Sequence, residues 1–188
     1  RVDRMTGIDL GLTTFATLSS GEEIANPRFY RRGQEALARA QRVLSAKKRG
    51  SNSRRRARQR VARAHEHVAN QRLDFHRKTA KRLVERFDHI AHEDLNVRGL
   101  ASGMLAKSVH DVGWAQFISI LHSKAEEAGV HVIAVDPRGT TQDCSACGRT
   151  VPKTLSEREH RCECGLVLGR DHNAALNVLA RGSRAVPP

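Results

Sequence analysis

All four cysteines of this chain fall between Cys144 and Cys164, and that clustering limits the folds open to it more than any other feature. The pairs Cys144-x2-Cys147 and Cys162-x-Cys164 are separated by fourteen residues, and Gly148 and Gly165 each follow the second cysteine of a pair. A secreted disulfide scaffold is usually smaller and spreads its cysteines. Clustered cysteines point to a metal instead. Four thiolates at these spacings suit tetrahedral Zn2+ in a closed, structural site, with glycine relieving the turn after each pair. The second pair is one residue shorter than C-x-x-C. His160 is therefore a rival ligand in place of Cys162.

Charge divides the chain. The net charge is +13, yet residues 28–82 hold 19 of the 33 Lys and Arg and three acids, Glu35, Glu66 and Asp74. That segment carries 19 − 3 = +16, and the rest carries 14 − 17 = −3. Such a concentration exceeds what solubility asks of a helix face and favours a polyanionic partner, with nucleic acid first and an anionic membrane surface second. No apolar run is long enough to span a bilayer and no signal-peptide core is present. The expected location is intracellular. Arg1 stands where an initiator Met would, so the chain is expected to be part of a longer protein.

The basic segment is helical in composition, with no proline after Pro27 and with Val61, Val68 and Phe75 spaced by seven. RGSNS interrupts it, so two antiparallel helices are predicted over about 33–48 and 54–87, with Ser53 as N-cap. Around this insertion the pattern is α/β. Strands are predicted at 4–10, 12–19, 22–26, 88–95 and 130–136, a helix at 110–128 and a last helix at 172–182.

Three acids occupy unusual places. Asp9 sits inside an apolar strand in GIDLG, Glu93 closes the fourth strand in HIAHEDL, and Asp171 opens the last helix in GRDHNAAL. A lone buried carboxylate is costly. Asp171 alone could serve the helix dipole, and Glu93 alone could be a solvated strand end. If strands one and four are neighbours, all three carboxylates can face one spot. There they would repel unless Mg2+ or Mn2+ neutralised them.

GIDLG with its hairpin, HEDLNVRGL, DPRGTTQDCSACG and CGLVLGRDHNAALNVL together resemble the C-terminal nuclease half of TnpB, transposon-encoded RNA-guided endonucleases related to type V CRISPR effectors. The resemblance covers nearly the whole chain. It implies an RNase H-like, RuvC-type mixed sheet with flanking helices, a basic helical-hairpin insertion after strand three and a zinc ribbon before the last helix. In domain terms this gives a nuclease core over 1–140 with the insertion at about 28–87, a ribbon over 141–168, and 169–188 as last core helix and tail. The family's acidic motifs fall on Asp9, Glu93 and Asp171, and its activity is Mg2+-dependent cleavage of DNA chosen by guide-RNA pairing. Partners are then DNA and guide RNA, the latter needing an N-terminal part beyond this chain, with no small-molecule cofactor. Gly169 stands where relatives often have an acid.

On this reading Asp9 bridges two metal ions, completed by Glu93 and Asp171, in hydrolysis of a phosphodiester. Arg54, Arg55, Arg56, Arg58, Arg60 and Arg63 contact phosphates without reading sequence, and Arg170 either meets the scissile phosphate or packs a helix end. The alternatives are a catalytically silent DNA- or RNA-binding module, a transposase that transfers strands, and a zinc-dependent scaffold.

Overall fold

The computed structural model describes residues 4–96, 106–154 and 156–185. Strands β1 (Met5–Leu10), β2 (Thr14–Leu18) and β3 (Glu23–Ala25) are followed by helices α1 (Phe29–Ser45) and α2 (Asn52–Arg86). Next come β4 (His89–Glu93), α3 (Ala106–Val112), α4 (Trp114–Ala128) and β5 (His131–Val135). A small hairpin, β6 (Glu159–Arg161) and β7 (Val167–Gly169), precedes α5 (Arg170–Ala185). The main sheet is mixed, with strand order β3-β2-β1-β4-β5. β1 runs antiparallel to β2 and parallel to β4, and β4 runs parallel to β5.

Helices cover both faces of this sheet. Alternation along a strand sends successive side chains to opposite faces. One face presents Ile8, Leu10 and Ile90 to Leu83 of α2 and to Trp114, Phe117 and Leu121 of α4, all buried. Phe15 joins this cluster, meeting Phe75 and Phe117 edge to face at centroid distances of 4.8 and 4.9 Å. The other face packs on α5 through Ala91, Val135 and Val178. Gly7 is required here, because a Cβ at that position would lie 2.2 Å from the Ala175 carbonyl oxygen of α5.

Several element ends differ from the expected ones. The single helix expected over 110–128 is broken at Gly113, which has φ 67°. A Cβ there would also crowd Arg72 Cδ at 3.1 Å and His76 Cε1 at 3.2 Å. Close approach of α2 therefore sets the break, and the Nε2 of buried His76 lies 2.9 Å from the Val112 carbonyl oxygen. Helix α1 starts at Phe29, not near 33, because Asp111 Oδ1 accepts from the Tyr30 backbone N–H at 2.8 Å. Ser51, not Ser53, caps α2, its hydroxyl accepting from the Arg54 N–H at 3.2 Å. The turn at Gly50, with φ 83°, brings Ser51 into that position. Helix α5 begins at Arg170, so Asp171 lies in its first turn. Residues 97–100 of the HEDLNVRGL motif and the tail 186–188 lie outside the described residues.

Candidate metal centres and acidic cleft

The four cysteine sulfurs converge, all within 4.8 Å of one another. Among the described residues this is the one set of three or more His, Cys, Asp or Glu ligand atoms at that spacing. Cys144 and Cys164 are 3.7 Å apart and Cys147 and Cys162 are 3.6 Å apart, far beyond a disulfide bond. Sulfurs at about 2.3 Å from a tetrahedral centre are separated by about 3.8 Å, so the spacing fits a zinc ion. Gly148 and Gly165 have φ of 74° and 93°, and each donates its N–H back to the first cysteine of its pair. The shortened C-x-C turn thus still delivers Cys162 to the cluster. His160 lies outside the set of four, fully buried against Lys153. Burial raises the Cys144 thiol, but hydrogen bonds from the turn N–H groups, His160 and Cys164 outweigh it and bring its pKa down to about 6.

The three acids line a cleft close to the root of the cysteine module, at the start of α5. The β1–β4 register pairs Ile8 with His92, so one step further Asp9 stands beside Glu93. Both side chains leave the sheet on the α5 side, and α5 begins at the carboxyl end of these strands with Asp171 in its first turn. Asp9, Glu93 and Asp171 line one open cleft of about 700 Å³. Their ligand atoms are spread more widely around it than the cysteine sulfurs are around theirs. Asp9 is 7% exposed and Glu93 6%. Burial, then the charges of Glu93 and Asp171, lift Asp9 from 3.8 to about 8, opposed by Arg170. Glu93 is also raised, by burial, against the Thr140 hydrogen bond and the charge of Arg181. A cleft that holds carboxylates this unfavourably, with oxygen donors only, fits a hard divalent cation.

This electrostatic strain has a consequence for stability. Folded Asp9 keeps its proton up to about pH 8, whereas its ordinary value is 3.8. Folding therefore takes up a proton between those values, and stability falls as pH rises through that window. Asp9→Asn is expected to raise the Tm in Mg2+-free buffer at pH 8 and to leave it nearly unchanged at pH 4. Thermal melts at the two pH values check this.

Glu93 is held from the loop between β5 and the cysteines. Buried Thr140 donates its hydroxyl to Glu93 Oε1 at 2.5 Å. That loop is in turn fastened to α5. Asn177 Nδ2 donates to the Thr140 and Asp143 carbonyls at 2.8 and 2.7 Å. Asn173 donates to the Asp143 carbonyl and accepts from the Ser145 N–H. Arg181 reaches the Asp136 and Arg138 carbonyls at 2.6 and 2.7 Å. The helix that carries Asp171 thereby fixes the aim of Glu93 and the root of the cysteine module. None of these residues carries a sequence signal of its own, since each acts only through a contact distant in the chain.

The arginines separate into distinct roles. Arg54 is half-buried and donates to the Leu44 and Lys47 carbonyls at 3.0 and 3.1 Å, closing the hairpin between α1 and α2. Arg55, Arg56, Arg58, Arg60 and Arg63 are exposed along α2. Arg170 lines the cleft, 3.5 Å from Asp171 and 3.2 Å from the Glu157 carbonyl. Arg28, Arg31 and Arg158 also line the cleft, as does buried Asp111, and the sequence reading passed over all four.

The sheet and its helices match solved structures of known proteins. One is a cryo-EM structure of a Cas12f1–sgRNA–target DNA complex, with a TM-score of 0.68 and 17% identity over 94% of this chain and 49% of that one. The fold is therefore a mixed sheet with flanking helices, of the kind found in Cas12f. The family model OrfB_IS605, described as "Probable transposase", matches residues 2–103, and the Cas12f1-like TNB domain model matches residues 114–178. The chain belongs to the OrfB_IS605 transposase family, as its resemblance to TnpB anticipates. A Streptomyces pristinaespiralis protein named "Putative RNA-guided DNA endonuclease" is 41% identical over 95% of this chain and 45% of its own length. The Escherichia coli protein named "Putative RNA-guided DNA endonuclease InsQ" is 33% identical over 95% of this chain and 49% of its own length. The chain spans about half the length of these relatives. Among the described residues no helix is long and apolar enough to cross a membrane.

Proposed function

We propose that this chain is the nuclease part of a transposon-encoded, RNA-guided DNA endonuclease, with an RNase H-like (RuvC-type) core and a zinc ribbon at the cysteines. The observation that carries the reading is the cleft in which Asp9, Glu93 and Asp171 are gathered with the first two held at raised pKa. Asp9, Glu93 and Asp171 are the residues that would hold Mg2+ or Mn2+. Such ions, bound in a pair, activate water as the nucleophile and stabilise the leaving 3′ oxygen of a phosphodiester. Arg170 sits beside Asp171 and is placed to orient a phosphate at the cleft. The exposed arginines of α2 would hold the backbone of a guide–target hybrid without reading its bases. The Cys144, Cys147, Cys162 and Cys164 cluster would hold Zn2+ as a brace, closed to substrate. DNA and guide RNA are the partners, in a prokaryotic cytoplasm.

The test is the full-length protein loaded with its guide and given matched DNA with and without Mg2+. The reading predicts Mg2+-dependent cuts that leave 3′-hydroxyl and 5′-phosphate ends. Bound but uncut DNA would favour the silent binding module, and joined strands would favour a transposase.

A narrower expectation concerns Thr140. Removing a side chain that orients a metal-holding carboxylate typically costs about 10–100-fold in activity or metal affinity. Thr140→Val is expected to lower the cleavage rate by that factor and to raise the Mg2+ concentration for half-maximal rate. Thr140→Ser, which keeps the hydroxyl, is expected to restore both. Equal loss in the two variants would assign Thr140 to packing alone.

A further inference from the structure

A cationic face leads away from the acidic cleft on the first helix of the insertion, apart from the arginine run on α2. We propose that the face of α1 from Arg31 to Arg42 is a track for the single-stranded DNA that runs into the cleft. The proposal rests on the nuclease reading above and adds the path of its substrate. Arg31 lines both the cleft and a shallow trough of about 580 Å³ along α1. The trough is bordered by Arg31, Gln34, Glu35, Ala38, Arg39 and Arg42. These positions recur at three- and four-residue steps, so they share one helix face. At 1.5 Å per residue, Arg31 to Arg42 spans about 16 Å, room for a few nucleotides of extended strand.

This face carries three arginines against one acid, Glu35. Glu35 lies four residues from both Arg31 and Arg39, the spacing at which helical ion pairs form. Among the described residues it pairs with neither, and no ion pair engages Arg31, Arg39 or Arg42. Three guanidinium groups are thus exposed toward solvent, whereas Arg54 is spent on backbone carbonyls. The start of the track is fixed by an unusual turn. Arg28, at φ 51°, is the one non-glycine residue of positive φ among the described residues. Its N–H is held by Asn26 Oδ1 at 3.0 Å, and Asn26 Nδ2 is held by the Leu12 carbonyl at 2.7 Å. A residue stays in that sparsely populated region only where its surroundings fix it. Here the turn starts α1 at the rim of the cleft, which Arg28 itself lines. Contacts of this kind grip phosphates and are indifferent to base sequence.

The test uses the full-length protein with its guide. A photo-crosslinking residue replaces Ala38 in the trough or, as a control, exposed Glu127 on α4, with the DNA strands and guide RNA labelled separately. The expected result is a crosslink from position 38 to a DNA strand, absent from position 127. In parallel, R39E/R42E is expected to bind single-stranded DNA more weakly. Its log–log salt slope should be shallower by about 1.4, two phosphate contacts at about 0.7 each. Crosslinks from position 38 only to guide RNA, no crosslink above the control, or an unchanged salt slope would each overturn the proposal. The crosslink does not need cutting, so a protein that crosslinks DNA at position 38 but never cleaves it would refute the nuclease reading and leave the track standing.

Discussion

Asp9→Ala in the full-length, guide-loaded protein is expected to reduce DNA cleavage at least about a thousandfold while leaving guide and target binding intact. Divalent cations stabilise the transition state of phosphoryl transfer by several kcal/mol. Loss of about 4 kcal/mol corresponds to a factor of about a thousand. Asp9 is expected to be the most sensitive of the three acids. It lies on a central strand between β2 and β4, beside Glu93, and feels the charges of both Glu93 and Asp171. Burial of its carboxylate is tolerable when a cation shares the cleft, so Asp9 is expected to act as a ligand rather than as a fold element. Single-turnover cleavage, run beside a binding assay, separates loss of chemistry from loss of substrate. Equal losses in both assays would place Asp9 in the architecture and not in the reaction.

Cysteine loss is the second large effect. Cys162→Ser is expected to lose zinc as completely as Cys144→Ser, because Cys162 stands 3.6 Å from Cys147 within the cluster. His160→Ala is expected to retain it. Structural zinc is worth about 10–16 kcal/mol of apparent binding energy in small domains, and that energy is folding energy. Only part of it reaches the main sheet, through the clamp of Asn173, Asn177 and Arg181 on residues 136–145. If several kcal/mol do so, the Tm falls by about 10 °C at roughly 2–4 °C per kcal/mol. Metal analysis should find one zinc per chain in the parent and in His160→Ala, and none in the two cysteine variants. Retention of zinc by Cys162→Ser would move the fourth ligand to another residue.

The sequence carries some of this and not the rest, for physical reasons. Cysteine spacing and the glycines after each pair are local, so the cysteine cluster was legible, and the structure brings Cys162, not His160, within reach of the other three sulfurs. Asp9 stood out because a mid-strand acid violates its surroundings, and Glu93 and Asp171 became legible beside it once strand adjacency was supposed. The succession of elements along the chain and the helical insertion follow from periodicity, whereas the strand order of the sheet does not. The break at Gly113 did not, because a glycine within a helical pattern is tolerable until α2 leaves no room for a Cβ. Thr140 and the asparagines of α5 were silent for a related reason. A threonine or asparagine announces nothing until the fold brings it to its partner, here Glu93 and the carbonyls of a loop thirty or more residues away. Arg54 misled in the opposite direction. It belongs to a basic run, yet the turn at Gly50 folds it back onto the end of α1.

Asp9, Glu93 and Asp171 are expected to act together as a divalent-cation site. Titration of the zinc-loaded full-length protein with Mn2+, followed by electron paramagnetic resonance of the free ion, tests it most directly. The parent is expected to bind Mn2+ that Mg2+ displaces, and this binding is expected to be lost in both Asp9→Ala and Asp171→Ala. Equal Mn2+ binding by the parent and both variants would contradict it.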